Sequence, residues 1–246
     1  MYFLIIFLQG PLNHQKTKEY LQELSGRDIP KYGVPAGRGI WLNYAAELYM
    51  KPDMRFFSGK RIVLREIPSE TLIATLAKDK LLVNKSCYII RLKDVGLYLY
   101  LLGVINSRAI GFWVSNEGDK ANQNLFPRIT MATIKRLPIP SPYMSNGKSD
   151  GVTTIQSRIA SLVEKALAAK EKDSNADTSA FESEIDQLVY KLYGLTDDEI
   201  AIVEGRNETK QEPQGETARR PATSSRRRRQ SAVPVVPASL DDEVLE

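Results

Sequence analysis

The side chains able to carry chemistry are few, and their numbers limit what this chain can do. His14 is the only histidine and Cys87 the only cysteine. A Ser-His-Asp relay would have to rest on that one histidine, and a zinc cluster of His and Cys is excluded by count. No glycine-rich phosphate loop ending in Lys-Ser or Lys-Thr occurs, and no G-x-G-x-x-G follows a strand-like run. Carboxylates gather toward the C-terminus at Asp186, Asp197, Asp198 and Glu199. A nuclease would need several of these, usually with a lysine, converging on a metal. Asp197, Asp198 and Glu199 instead fit the first turn of a helix, where negative charge complements the dipole. No active site is recognisable.

The cations are more informative. Net charge is only +4, but from Lys51 to Pro140 there are fifteen Lys or Arg against seven Asp or Glu. From Gly151 to Gly205 the balance reverses, five against eleven. A polyanion would meet the middle of the chain first. Near the C-terminus four consecutive arginines, Arg226–Arg229, are either a solvated charge run or a phosphate-binding arm.

The elements that must position these groups can be read from periodicity. At 246 residues and 42% hydrophobic the chain can bury a substantial core. The run FLIIFL near Met1 is too short to span a bilayer and reads as a buried strand. It needs something to pack against, as expected if it belongs to a larger fold. Together with the single cysteine this points to the reducing cytoplasm. A helical piece is predicted over Lys16–Leu24, strands over RIVLREI from Arg61 and CYIIRL from Cys87, and helix-compatible spacing in SETLIATLAKD. NKS at Asn84 marks a turn. Leu101, Ile105, Ala109 and Phe112 place one buried helix across Leu97–Ser115, whose central Asn106 and Ser107 must satisfy buried polar groups.

Pro138, Pro140 and Pro142 then forbid a helix. Beyond them Ile155, Ile159, Leu162, Val163, Ala166 and Leu167 form an apolar stripe. Ile185, Leu188, Val189 and Leu192 form a second, with KEKDSNADTS as the loop between. Gly194 is suited to a left-handed C-cap, and Thr196 with Glu199 has capping-box spacing. The expected architecture is α+β, a mixed α/β recognition domain followed by an antiparallel helical hairpin and a disordered C-terminal tail. The segments are 1–25, an N-terminal remnant or connector; 26–140, the recognition domain; 141–152, a Pro/Gly linker; 153–205, the hairpin; and 206–246, the tail.

Four stretches in order carry a resemblance. GRDIPKYG from Gly26, FFSGKRIVLREIP from Phe56, LYLYLLGVINSRAIGFWV with FPRITMATIKRLPIP over Leu97–Pro140, and IDQLVYKLYGLTDDEIAIVE from Ile185 resemble the TaqI-like specificity domain. That domain is the target-recognition part of adenine-N6 DNA methyltransferases and of type IIG restriction–modification enzymes. The resemblance covers about Gly26 to Glu204. It implies that the chain reads double-stranded DNA sequence for a methyltransferase domain or subunit. S-adenosylmethionine is then expected in that partner, and no cofactor and no membrane in this chain. No aromatic-flanked Asn-Pro-Pro or Asp-Pro-Pro motif for a flipped base is present here, so the resemblance transfers no catalytic residue.

Such a domain divides its contacts between phosphates, which position, and base edges, which specify. The candidates for positioning are Lys60, Arg61, Arg65, Arg108, Lys120, Arg128, Lys135 and Arg136. In SNEGDKANQNLFPR, Asn122, Gln123 and Asn124 could pair with adenine and Arg128 with guanine; the same run also reads as an exposed loop. Arg65 also reads as a strand-edge residue that snorkels. Duplex binding should weaken steeply between about 50 and about 200 mM salt, with the target adenine extruded into the partner's pocket. Two readings of other classes stay open: an assembly module docking through its acidic hairpin, and a free-standing enzyme. A type I specificity subunit would require two pseudo-repeated halves, and none is visible.

Overall fold

A computed structural model describes residues 2–5, 12–13, 20–43, 53–78, 80–117, 128–140 and 149–206. In chain order the strands are β1 (Tyr2–Ile5), β2 (Leu12–Asn13), β3 (Tyr20–Leu24), β4 (Trp41–Asn43), β5 (Arg61–Arg65), β6 (Ala74–Ala77), β7 (Leu82–Val83) and β8 (Cys87–Arg91). The helices are α1 (Tyr98–Ile105), α2 (Arg108–Glu117), α3 (Met131–Lys135), α4 (Ser149–Lys172), α5 (Ser179–Tyr193) and α6 (Asp197–Val203). The fold is α+β, and the two long C-terminal helices α4 and α5 pack as a hairpin.

One sheet has the order β1-β8-β5-β6 and is antiparallel throughout. The other runs β2-β4-β3-β7, with β3 and β7 parallel. The first sheet is covered on both faces. Ile62, Leu64, Tyr88 and Ile90 join α1, α4 and α5 in the larger core. Val63, Ala77, Cys87 and Ile89 join Leu24, Leu42, Leu82 and Val83 in a second core beneath the other sheet. Double coverage explains why β5 and β8 are buried at four consecutive positions instead of alternating with solvent.

Three expectations give way to tertiary pairing. The predicted helix over Lys16–Leu24 is, in its described part, strand β3, because Leu21 and Gln22 pair with β4 while Glu23 and Leu24 pair with β7. The helical spacing in SETLIATLAKD yields β6, held against β5 from Ala74↔Leu64 to Arg61↔Ala77. Sheet hydrogen bonds, gained by β3 on both sides and by β6 on the side of β5, outweigh a weak local propensity. The single helix across Leu97–Ser115 is two helices, with the Val95–Ile105 and Arg108–Asn116 segments bent by 65° at Asn106–Ser107.

That bend has a polar cause. Asn106 is buried and forms a closed pair with the edge of β6: its Oδ1 accepts from Ala74 N at 2.8 Å and its Nδ2 donates to Ala74 O at 2.9 Å. The side chain thus stands in for a missing neighbour strand. Ser107 Oγ donates to Val104 O at 2.7 Å, and Gly111 N donates to Ser107 O, which opens α2. No single helix among the described residues is long and apolar enough to cross a membrane.

The hairpin follows its sequence signals more closely. Ile159, Val163 and Ala166 of α4 and Ile185 and Val189 of α5 are buried. Gly194 takes the left-handed conformation at φ 67°, and Leu195 N donates to Tyr190 O at 3.0 Å to complete a Schellman closure. Thr196 N donates to Glu199 Oε2 at 2.8 Å and Glu199 N to Thr196 Oγ1 at 3.4 Å, the reciprocal capping box. Helix α4 begins at Ser149, within the stretch expected as linker. Residues 207–246, including Arg226–Arg229, lie outside the described residues.

Candidate nucleic-acid interface

The segment 128–140 is irregular apart from α3, and buried hydroxyls fix it in place. Ile129 N donates to Glu66 O at 2.9 Å, and Tyr88 Oη donates to Ile129 O at 2.7 Å. Farther along, Tyr193 Oη donates to Pro138 O, and Tyr100 Oη donates to Pro140 O at 3.0 Å. Leu-Pro-Ile-Pro therefore leaves the core with its prolines bonded through their carbonyls, the one backbone group a proline can offer. On this anchored strip Arg128, Lys135 and Arg136 are exposed, while Ile129, Thr133 and Ile134 point inward. Thr130 Oγ1 accepts from Thr133 N at 3.1 Å and caps α3.

The other sequence candidates separate by burial. Arg61 is completely buried, and its guanidinium donates to Gly59 O at 2.8 Å and Leu81 O at 3.2 Å. It braces the second core and, contrary to the expectation from sequence, cannot contact a phosphate, because it has no exposed surface. Arg65 Nε donates to Ile29 O at 2.7 Å, joining β5 to the turn that follows β3. Lys60 is half-buried, lying 5.4 Å from the Tyr98 ring centre and donating to Val95 O at 3.3 Å. Lys120, Asn122, Gln123 and Asn124 lie outside the described residues.

Arg108 opens α2 beside Asp186 of α5. Its backbone N–H donates to Asp186 Oδ1 at 2.9 Å, and its Nε sits 3.5 Å from Oδ2. Burial pushes the Asp186 carboxyl up to about 6, and the bond from Arg108 N–H only partly offsets that cost. The pair lines a cleft of about 840 Å³ whose charged walls also include Lys31, Glu70, Glu182 and Glu204. Lys31 is itself paired with Glu182 at 2.7 Å. Arg108 is thus ion-paired within a cleft whose charged walls carry more carboxylates than cations.

The Gly-Arg-Asp-Ile stretch also has a readable geometry. Ser25 N and Oγ donate to Asp28 Oδ2 at 2.7 and 2.8 Å, Arg38 Nε donates to Oδ1 at 2.8 Å, and Ile29 is fully buried. Burial alone would raise the Asp28 carboxyl, but the bonds from Ser25 and Arg38 hold it below the ordinary carboxylate value. Cys87 is buried, and desolvation pushes its thiol up to about 12. The sequence reading passed over Arg27, Arg38 and Lys85, because nothing in the linear pattern brings them near Arg128.

Residues 21–139 match the sequence model of the TaqI-like C-terminal specificity domain. A protein of Methanocaldococcus jannaschii designated a type II restriction enzyme and methyltransferase is 28% identical over 148 residues, which cover 59% of this chain and 11% of that protein. The structure resembles a type IIL restriction–modification enzyme, MmeI, solved in complex with DNA, with a TM-score of 0.50 at 10% identity. That likeness covers 76% of this chain and 30% of the enzyme, and it concerns the fold. The similarity to a restriction–modification specificity domain thus lies in residues 21–139, and the chain spans about a tenth of the relative and under a third of the solved enzyme.

Proposed function

We propose that this chain reads DNA sequence for an adenine-N6 methyltransferase in a type IIG-like restriction–modification system of the cytoplasm. The observation that carries the reading is the strip 128–136. Arg128, Lys135 and Arg136 are exposed on a backbone fixed by Tyr88 and Glu66. Exposed cations on a rigid support meet phosphates at little entropic cost, and base contacts from adjoining residues then set sequence. Asn122, Gln123 and Asn124 remain our candidates for adenine edges and Arg128 for guanine. Double-stranded DNA is the substrate surface and a methyltransferase domain or subunit the working partner. The methyltransferase would hold S-adenosylmethionine and the extruded adenine, and we assign no residue of this chain to either.

The test is duplex binding measured by electrophoretic shift across about 50 to about 200 mM salt, with and without a methyltransferase encoded beside this chain. We expect binding that weakens steeply with salt, and a Lys135→Gln/Arg136→Gln variant that weakens it on every duplex. Long-read sequencing of adenine modification should lose a methylated motif when the gene is deleted. Binding that is absent under all conditions, with an unchanged methylation pattern, would remove the reading.

A further inference from the structure

We propose that Arg27, Arg38 and Lys85 form, together with Arg128, a phosphate-binding ridge that holds the DNA duplex. This rests on the DNA-reading role above and extends it to three residues distant in sequence from the 128–136 strip.

A continuous chain of hydrogen bonds links the segments that carry the four cations. Arg38 is fixed at one end, with Nε on Asp28 Oδ1 at 2.8 Å and Nη2 on Ser25 Oγ at 3.1 Å. The turn bearing Arg27 is tied to the turn bearing Lys85, because Gly26 N donates to Ser86 Oγ at 2.7 Å and Asn84 N to Leu24 O at 2.9 Å. Gly26 permits this approach: a Cβ there would lie 3.1 Å from Ser86 O. Ser86 then connects to the strip itself. Its carbonyl accepts from Glu66 N at 2.9 Å, while Glu66 holds Ile129 through its backbone and Arg128 through its carboxylate at 3.4 Å.

The charge on this ridge is available to a ligand. Arg27 and Lys85 are exposed and have no partner among the described residues. Arg38 and Arg128 are 54% and 55% exposed even while paired. The neighbouring carboxylates are turned inward: Asp28 is 3% and Glu66 18% exposed. Glu23 on β3 is half-buried beside Asn84, and burial raises its carboxyl toward the neutral form. The Arg27 side chain makes no hydrogen bond or ion pair among the described residues. Within its turn Gly26 provides the close approach, Asp28 the cap and Ile29 the core. Three of the four cations are arginines, whose planar forks match phosphate oxygens in pairs.

The test uses the full chain and duplexes of about 30 base pairs, one carrying the methylated motif and one scrambled. An Arg27→Gln/Lys85→Gln variant should fold normally, since neither side chain has a partner to lose among the described residues. Each phosphate contact removed lowers the slope of log K against log salt by about 0.9, so the slope should fall by about 2. Binding at about 50 mM salt should weaken at least about tenfold, equally on both duplexes, because phosphates carry no sequence information. A Lys165→Gln/Lys172→Gln variant, with the same charge change on the exposed side of α4, should bind as the unaltered chain does. An unchanged slope in the ridge variant, or an equal fall in the α4 variant, overturns the ridge and leaves the DNA reading standing. Unaltered chain that binds no duplex at any salt overturns both.

Discussion

Replacing Asn106 should cost more than its volume suggests. The side chain makes two hydrogen bonds inside the larger core, to Ala74 N at 2.8 Å and Ala74 O at 2.9 Å. Ala74 O keeps a second donor, Tyr32 N at 3.4 Å, but the Ala74 N–H faces away from β5 and has no other acceptor among the described residues. Losing two ordinary hydrogen bonds costs about 1–3 kcal/mol in all, and stranding one buried N–H costs about 1–3 kcal/mol, the two figures overlapping in part. We expect Asn106→Ala to destabilise the fold by about 3 kcal/mol. Asn106→Leu restores the lost volume and leaves the N–H stranded, so it should recover little. The assay is urea unfolding followed by circular dichroism and by fluorescence of Trp41 and Trp113, with the slopes compared to confirm a common unfolded state. If Asn106→Leu unfolds within about 0.5 kcal/mol of the natural chain, the polar account of the α1–α2 bend is wrong and packing alone sets it.

Further predictions concern packing and titration. Gly103→Ala would place a Cβ 2.5 Å from Ile159 Cγ2 and 3.0 Å from Val163 Cγ2, so the Ile159 side chain or α4 itself must shift; a loss of about 1–3 kcal/mol in the same urea assay is expected. Asp186 has its carboxyl raised from 3.8 to about 6 by burial. The folded state therefore favours the protonated form, and this group's contribution to stability declines as pH rises from about 4 through about 6. Asp186→Asn still accepts from Arg108 N–H but does not ionise. Its stability relative to the natural chain should improve by about 1 kcal/mol between about pH 5 and about pH 7, and a flat difference would show that Asp186 is already ionised throughout. Cys87, buried with its thiol pushed up to about 12, should resist a disulfide-exchange reagent in the folded protein and react once urea unfolds it.

Local signals were sufficient where local physics decides. The hairpin is legible because a 3.6-residue stripe, a left-handed glycine and a capping box are all short-range features. Asn106 was legible as a buried polar residue needing partners, since a mid-helix amide has few other uses. Its partner was not legible, because the free edge of β6 exists only after the sheet has formed. The same limit caused the misreadings of Tyr20–Leu24 and Ala74–Ala77, whose strand state comes from pairing with residues far along the chain. Among the site candidates, Arg61 and Arg136 look alike in sequence as cations beside apolar runs. Burial distinguishes them, and burial follows from the carbonyls of Gly59 and Leu81 closing around Arg61.

By itself, then, the sequence determined the α+β class, the hairpin and its caps, the excess of cations before Pro140 and the likeness to a specificity domain. Only the tertiary structure decided which cations face solvent and which serve as internal braces, and it alone linked the turns that carry Arg27, Arg38 and Lys85 to the segment of Arg128. The physical reason is range. Helix stripes and caps act over three to six residues, whereas charge exposure and the convergence of distant cations depend on backbone hydrogen bonds between turns such as Gly26–Ser86 and Ser86–Glu66, which no local pattern specifies.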